Sequence, residues 1–133
     1  MADSFKFELV SPEKQLASRD AQAVVIPATE GEMTVMARHA PTITTVKPGV
    51  VRVEGTDGED ERFVVFGGFA DIQPETCTLL AESAVRVDEI DREDLEKRIQ
   101  NVREDIQDAT NDETRSRAEE LLDHLMTLKS AVA

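Results

Sequence analysis

Phe5, Phe7 and Leu9 alternate with Lys6 and Glu8, the period-two signature of a strand with one apolar face. A second apolar run covers Ala21 to Ile26, and Pro27, which has no N–H to give to a ladder, predicts its end. Thr42 to Val46 is rich in β-branched residues and is followed by a Pro48-Gly49 turn, after which Val50, Val51 and Val53 form another strand. Gly55-Thr56-Asp57-Gly58 supplies turn chemistry before Phe63 to Phe66, which predicts a hairpin. Gly67-Gly68 interrupts an apolar run, the mark of a bulge or of a close backbone approach. Ile72, Thr76 to Ala81 and Val85 to Val87 complete a set of some eight to ten short strands, which predicts a β-sandwich or barrel.

Beyond Val87 the period changes. Ile90, Leu95, Ile99, Val102, Ile106 and Ala109 recur at spacings of 5, 4, 3, 4 and 3, one apolar stripe on a charged helix. Asp88, Glu89, Asp91, Glu93 and Asp94 crowd its start, where negative charge complements the helix dipole. The stripe breaks around Thr110-Asn111-Asp112-Glu113, where Thr110 with Glu113 fits a capping box and Asn111 or Asp112 are alternative caps. Ala118, Leu121, Leu122, Leu125, Leu128 and Val132 form a second stripe. Two such helices joined by a short polar turn predict an antiparallel hairpin, which has too little to bury alone and should dock on the sandwich or on a partner. With no strong stop signal, the end of the second helix is expected to fray over Ala131 to Ala133.

Composition sharpens the division. All five Pro, six Gly and five Phe fall in residues 1–87. The reading is an α+β protein: a β-sandwich or barrel domain over residues 1–87 and a helical hairpin domain over 88–133. The formal net charge is −13, which argues against nucleic acid as a partner, because a phosphate backbone needs a cationic face. The longest strictly apolar stretch, Val64 to Ala70, is far shorter than the roughly 20 residues of a spanning helix. Met1 to Phe5 has neither a basic nor an apolar leader region, so no secretory signal and no direct membrane insertion are expected, and the protein reads as cytosolic.

Catalytic and metal chemistry finds few carriers. Cys77 is the single cysteine; it lies in an alternating strand with no His near it in sequence and reads as a small core side chain. His39 and His124 fall one in each domain without ligand spacing, so no metal is expected. Gly67-Gly68 is followed by neither Lys-Ser nor Lys-Thr and opens no helix, so it is not a phosphate loop. Carboxylates are numerous enough to pair by chance, and on the helices they face Arg98, Arg103, Arg115 and Arg117. What stands out is segment 27–41, read as a long surface loop with Glu30 and Glu32 flanking Gly31, in a position suited to contacts.

This segment carries a resemblance. Pro27, Gly31, Val35, His39, Ala40, Pro41, Lys47, Pro48, Gly49, Arg52 and Val53 match the loop and strand start typical of the epsilon subunit of F-type ATP synthases, called delta in mitochondria. A second family signature is matched by Phe63-Val64-Val65-Phe66-Gly67-Gly68-Phe69-Ala70-Asp71-Ile72-Gln73-Pro74, and a third by Thr78 to Ala84. Ala28 and Thr34 replace two family glycines. Ile90-Asp91-Arg92-Glu93-Asp94-Leu95 resembles the ATP-binding motif of some bacterial relatives but has Asp94 where that motif has arginine. A carboxylate there repels a triphosphate, so no nucleotide and no cofactor are expected.

The resemblance implies a non-catalytic rotor subunit of a proton-translocating complex, joining the gamma shaft to the ring of c subunits at the cytoplasmic face of the energy-coupling membrane. Carried over by position, Glu30, Gly31 and Glu32 would meet the ring, Ser11 and Thr44 would face gamma, His39 would support the loop, and Gly67 and Gly68 would be structural. The hairpin would reach the alpha and beta subunits. Arg115, Arg117 and Lys129 are outweighed on the second helix by Asp112, Glu113, Glu119, Glu120 and Asp123, so it is expected to be a weak inhibitor of ATP hydrolysis or none. The alternative is a free-standing regulatory module whose hairpin binds a partner helix.

Overall fold

A computed structural model of the protein describes residues 4–132. By its internal contacts the protein forms two compact units, Met1–Arg86 and Val87–Ala133.

The first unit contains nine strands: β1 (Phe5–Val10), β2 (Gln15–Ala28), β3 (Gly31–Met36), β4 (Thr42–Val46), β5 (Gly49–Gly55), β6 (Asp60–Val65), β7 (Gly68–Ile72), β8 (Thr76–Ala81) and β9 (Ala84–Arg86). They hydrogen-bond in the order β1-β8-β7-β4-β2-β5-β6-β9, with β3 added to β2. β2 makes the sandwich possible. Its first half pairs with β1, its middle with β5, its second half with β3, and Ala28 with Val46 of β4. One strand therefore serves both layers, and the path β1-β8-β7-β4-β2 closes on itself. Every pair is antiparallel except β1 with β8.

The alternation read in β1 is observed: Phe5, Phe7 and Leu9 are buried, Lys6 is exposed and Glu8 only partly covered. They meet Val24, Ile26, Val51, Val53, Phe63, Val65, Ile72 and Leu79 in one core. Fully burying each such large side chain contributes about 1.5–3 kcal/mol.

Three expectations need correction. Pro27 does not end β2, which runs to Ala28; its carbonyl accepts from the Lys47 N–H at 2.9 Å, and its missing N–H leaves the rung to Glu32 in place. Segment 27–41 is therefore not one long loop. Residues 31–36 form β3, joined to β2 by a tight turn at Thr29-Glu30. Gly31 takes φ 127°, which L side chains rarely adopt, while a Cβ there would touch nothing. Finally, β2 begins at Gln15, well before the apolar run, because its polar first half is an outer strand held by pairing with β1.

The second unit opens with a 3-10 turn, Val87–Glu89, followed by α1 (Arg92–Asp108) and α2 (Asp112–Val132). Asp91 caps α1, accepting from the N–H groups of Glu93 and Asp94 at 3.0 and 3.2 Å. Of the candidate caps for α2, Asn111 is the one used: its Oδ1 accepts from Thr114 N–H at 2.8 Å. Leu95, Ile99 and Val102 of α1 and Leu125 of α2 are buried where the helices pack together, and Lys129 pairs with Glu96 at 3.1 Å. Ala131 and Val132 are buried, so the helix does not fray there; Ala133 lies outside the described residues. Ile90 precedes α1, its N–H bonded to Val87 O at 3.2 Å.

Candidate functional site

Two surfaces of the β unit are built unlike the rest. The first is the tip of the β2–β3 hairpin, where Thr29, Glu30, Gly31 and Glu32 are all exposed. The tip is held from below by Thr29 N–H donating to Thr45 O at 3.2 Å and by the Ala28–Val46 rung.

The second surface is the outward side of β1, β8, β7 and β4. Along one line of partners lie Val10, Leu80, Phe69 and Thr45, and along the next Glu8, Thr78, Asp71 and Ile43. Ile43 is 75% exposed, Phe69 55% and Leu80 50%. These are large apolar side chains left in water on neighbouring strands, while Ala70, Leu79 and Ala81 between them fill the core. Large apolar side chains exposed together on neighbouring strands make this face a candidate interaction surface. At its edge Val10, Ser11, Pro12, Phe69, Leu80 and Glu82 line an open, mainly apolar groove of about 300 Å³. The row Ala28–Val46–Gly68–Ala81 crosses the layer just inside both features, so the acidic tip and the groove share one end of the unit.

Gly68 is what lets β7 approach β8 there. Its φ is 138°, and a Cβ would stand 2.0 Å from the Leu80 carbonyl oxygen. Gly67 also has positive φ, 98°, and its carbonyl accepts from Glu82 N–H at 3.1 Å.

Ser11 lies on the groove, its hydroxyl donating to Lys14 O at 3.3 Å. Thr44 pairs with Ala70 and turns to the inner side of β4, so it does not join Ser11 on the outer face; Ile43 and Thr45 occupy that face. His39 is not beside the acidic tip. β3 leads away from Gly31, and His39 lies past its far end, with Nδ1 at 2.8 Å from Ala40 O and Arg38 N–H bonded to Pro74 O at 2.8 Å. The exposed trio Ile43, Phe69 and Leu80 escaped sequence reasoning, although strand alternation around Ala70 and Leu79 carries the signal.

A charged cluster occupies the other layer. Arg19 of β2 reaches Glu61 of β6 and, at 3.1 Å, Asp57 in the β5–β6 turn; Arg86 of β9 reaches the second Glu61 oxygen at 2.7 Å. The Glu59 backbone N–H, with Arg19 adding its charge, holds the Asp57 carboxyl below its ordinary value. Burial, with the Asp71 charge second, pushes the Cys77 thiol up to about 12. Among the described residues no three His, Cys, Asp or Glu side chains converge as for a metal ion, and no helix is long and apolar enough to cross a membrane.

Both units match known families. Residues 4–87 match the family model "ATP synthase, Delta/Epsilon chain, beta-sandwich domain", and residues 91–131 match the model of the C-terminal domain of the ATP synthase epsilon subunit. The ATP synthase epsilon chain of Mesorhizobium japonicum is 61% identical over 99% of this protein and 98% of its own length. That of Sinorhizobium fredii is 71% identical over 80% of this protein and 79% of its own length. Among solved structures, a subunit of the Euglena gracilis mitochondrial ATP synthase, in an OSCP/F1/c-ring assembly, superposes with TM-score 0.83 at 27% identity over 98% of this protein and 82% of that subunit. A subunit from the central stalk and c-ring of the Tetrahymena thermophila mitochondrial ATP synthase shares the fold alone, with TM-score 0.64 at 16% identity over 98% of both. A β-sandwich domain followed by a C-terminal helical domain is thus the architecture of a known family, and the protein belongs to the ATP synthase epsilon chains.

Proposed function

We propose that the protein is a non-catalytic central-stalk subunit of a proton-translocating F-type ATP synthase, in which it joins the ring of c subunits to the gamma shaft so that ring rotation turns the shaft. The observation that carries this reading is the pair of surfaces on the β unit: the acidic Glu30–Glu32 tip and the apolar Ile43–Phe69–Leu80 face, which reaches the tip's end of the unit at Phe69 and Leu80. A torque-bearing joint needs two separate contacts on one stiff body. The polar tip suits the polar loops of the ring; the apolar face suits a permanent subunit contact, whose centre is desolvated and apolar. Ser11 borders that gamma-facing surface, and Ile43 takes the place that Thr44 was expected to hold. The protein sits peripherally at the cytoplasmic face of the energy-coupling membrane, held by its partners.

The hairpin contributes little inhibition of hydrolysis. All three Arg and Lys residues of α2 are already paired within their own unit: Arg115 with Asp112 at 3.6 Å, Arg117 with Glu113 at 2.8 Å and Lys129 with Glu96 at 3.1 Å. These exposed pairs are weak in themselves, and what opposes docking on acidic segments of the alpha and beta subunits is the excess of carboxylates on α2, Asp112, Glu113, Glu119, Glu120 and Asp123.

The test is Phe69→Glu combined with Leu80→Glu. Both side chains are half exposed or more, so the core is untouched. The two glutamates face each other across β7 and β8, and thermal unfolding is therefore measured beside binding to confirm that the variant is folded. Each position, as an apolar anchor, costs about 2 kcal/mol or more on losing its partner, roughly thirty-fold in affinity. Binding to purified gamma is expected to weaken at least that far; unchanged affinity removes this face from the interface.

A further inference from the structure

Strand β9 is three residues long and pairs with β6 alone, through Phe63–Arg86, Val64–Val85 and Val65–Ala84. So short an edge strand has little of its own to hold it. It also ends the β unit: Arg86 is the last residue of one unit and Val87 the first of the next. Side chains supply the rest of its hold. The Arg86 guanidinium donates to Glu61 Oε2 at 2.7 Å and lies over the Phe63 ring, 5.5 Å from its centre. The other Glu61 oxygen accepts from Arg19 of β2. Arg19 reaches it across Gly55, where a Cβ would stand 2.0 Å from the Arg19 Nη2. A single carboxylate thus binds two guanidinium groups, one oxygen to each, and ties β9 to β6 and to β2. Its side chain is 20% exposed, so the charge-assisted bonds are less screened than those of a surface pair.

We propose that Glu61 and Arg86 form a clasp that decides whether β9 stays on the sheet, and thereby sets the length of free backbone between the two units. Just before β9, Phe66 N–H donates to Ser83 O at 2.9 Å and fixes the point from which the strand can peel. Release of Ala84–Arg86 adds roughly 10 Å of extended backbone to the connection. This inference rests on the cluster alone and stands whether or not the subunit acts as a rotor joint.

The test uses the full-length protein with Glu61→Gln, which keeps the size and a hydrogen-bonding oxygen but removes the charge, and Arg86→Met as a second variant should the first not fold. Amide exchange across residues 84–86 is expected to accelerate at least ten-fold, with β1, β7 and β8 unchanged. Trypsin should cut after Arg86 faster in the Glu61→Gln variant than in the parent, because a protease needs the backbone of that segment released. Exchange that is unchanged, or faster in every strand alike, overturns the clasp. Faster exchange in β9 without faster cleavage after Arg86 overturns its effect on the connection.

Discussion

Gly68 lies so close to Leu80 that a Cβ added to it would stand 2.0 Å from the Leu80 carbonyl oxygen and 2.9 Å from the Ala81 Cα. The obstacle is backbone, which cannot swing aside, and φ 138° adds a conformational penalty. Gly68→Val is therefore expected to destabilise the β unit by roughly 2–5 kcal/mol. Gly58→Ala, where φ is 84° but nothing lies within 4 Å, serves as the control and should cost only about 1 kcal/mol. Thermal unfolding of the two variants checks this: equal melting temperatures would mean that the close approach carries no energy.

Asp57 predicts a feature of acid unfolding. The Glu59 N–H and then the Arg19 charge lower its folded-state pKa below the ordinary 3.8. In that window the unfolded state binds more protons than the folded one, so the stability from Asp57 is complete above 3.8 and is lost as pH falls through the lower folded value. Asp57→Asn keeps an oxygen for the Glu59 N–H but cannot titrate. Its stability should fall less steeply than that of the parent below pH 3.8, as measured by urea unfolding at a series of pH values.

The Cys77 thiol makes the opposite prediction. It is buried, with its pKa raised from 9.0 to about 12, so the folded state favours the neutral thiol. Its contribution is complete below pH 9 and disappears as pH rises towards 12. At pH 8 a thiol reagent slower than refolding should modify Cys77 only through the unfolded state, and adding urea should accelerate the reaction in step with the unfolded fraction.

Glu30 and Glu32 sit on the exposed β2–β3 tip, so replacing both with Lys leaves folding stability within about 0.5 kcal/mol. If the tip meets the ring, reversing its charge weakens that contact, and proton-driven ATP synthesis in reconstituted vesicles should fall at least about three-fold. Parental coupling in this variant would place the ring contact elsewhere.

Legibility from the residues depended on whether local chemistry or pairing decided each element. The alternation of Phe5, Phe7 and Leu9, the Gly55–Gly58 turn and the helical stripe of Leu95, Ile99 and Val102 are local signals, and the fold follows them. Where pairing decided, the residues misled. Gln15–Asp20 looks like loop but is strand because β1 lies beside it, and Pro27 looks like a stop but occupies a rung that needs no N–H. At Phe69-Ala70 the larger residue seems the natural core member; the register puts Ala70 inside and leaves Phe69 in water. Composition alone cannot expose such a reversal, because the register of β7 against β4 and β8 decides which residues face inward. The family motifs of segments 27–53 and 63–84 were legible because they combine rare residues at fixed spacing.

The most direct test of the rotor reading is recovery of the tagged protein from detergent-solubilised membranes, with its companions identified by mass spectrometry. Gamma, the c ring and the catalytic subunits are expected with the parent protein, and their loss with Phe69→Glu combined with Leu80→Glu. Recovery of the parent alone, or with a single soluble partner, would contradict the rotor reading.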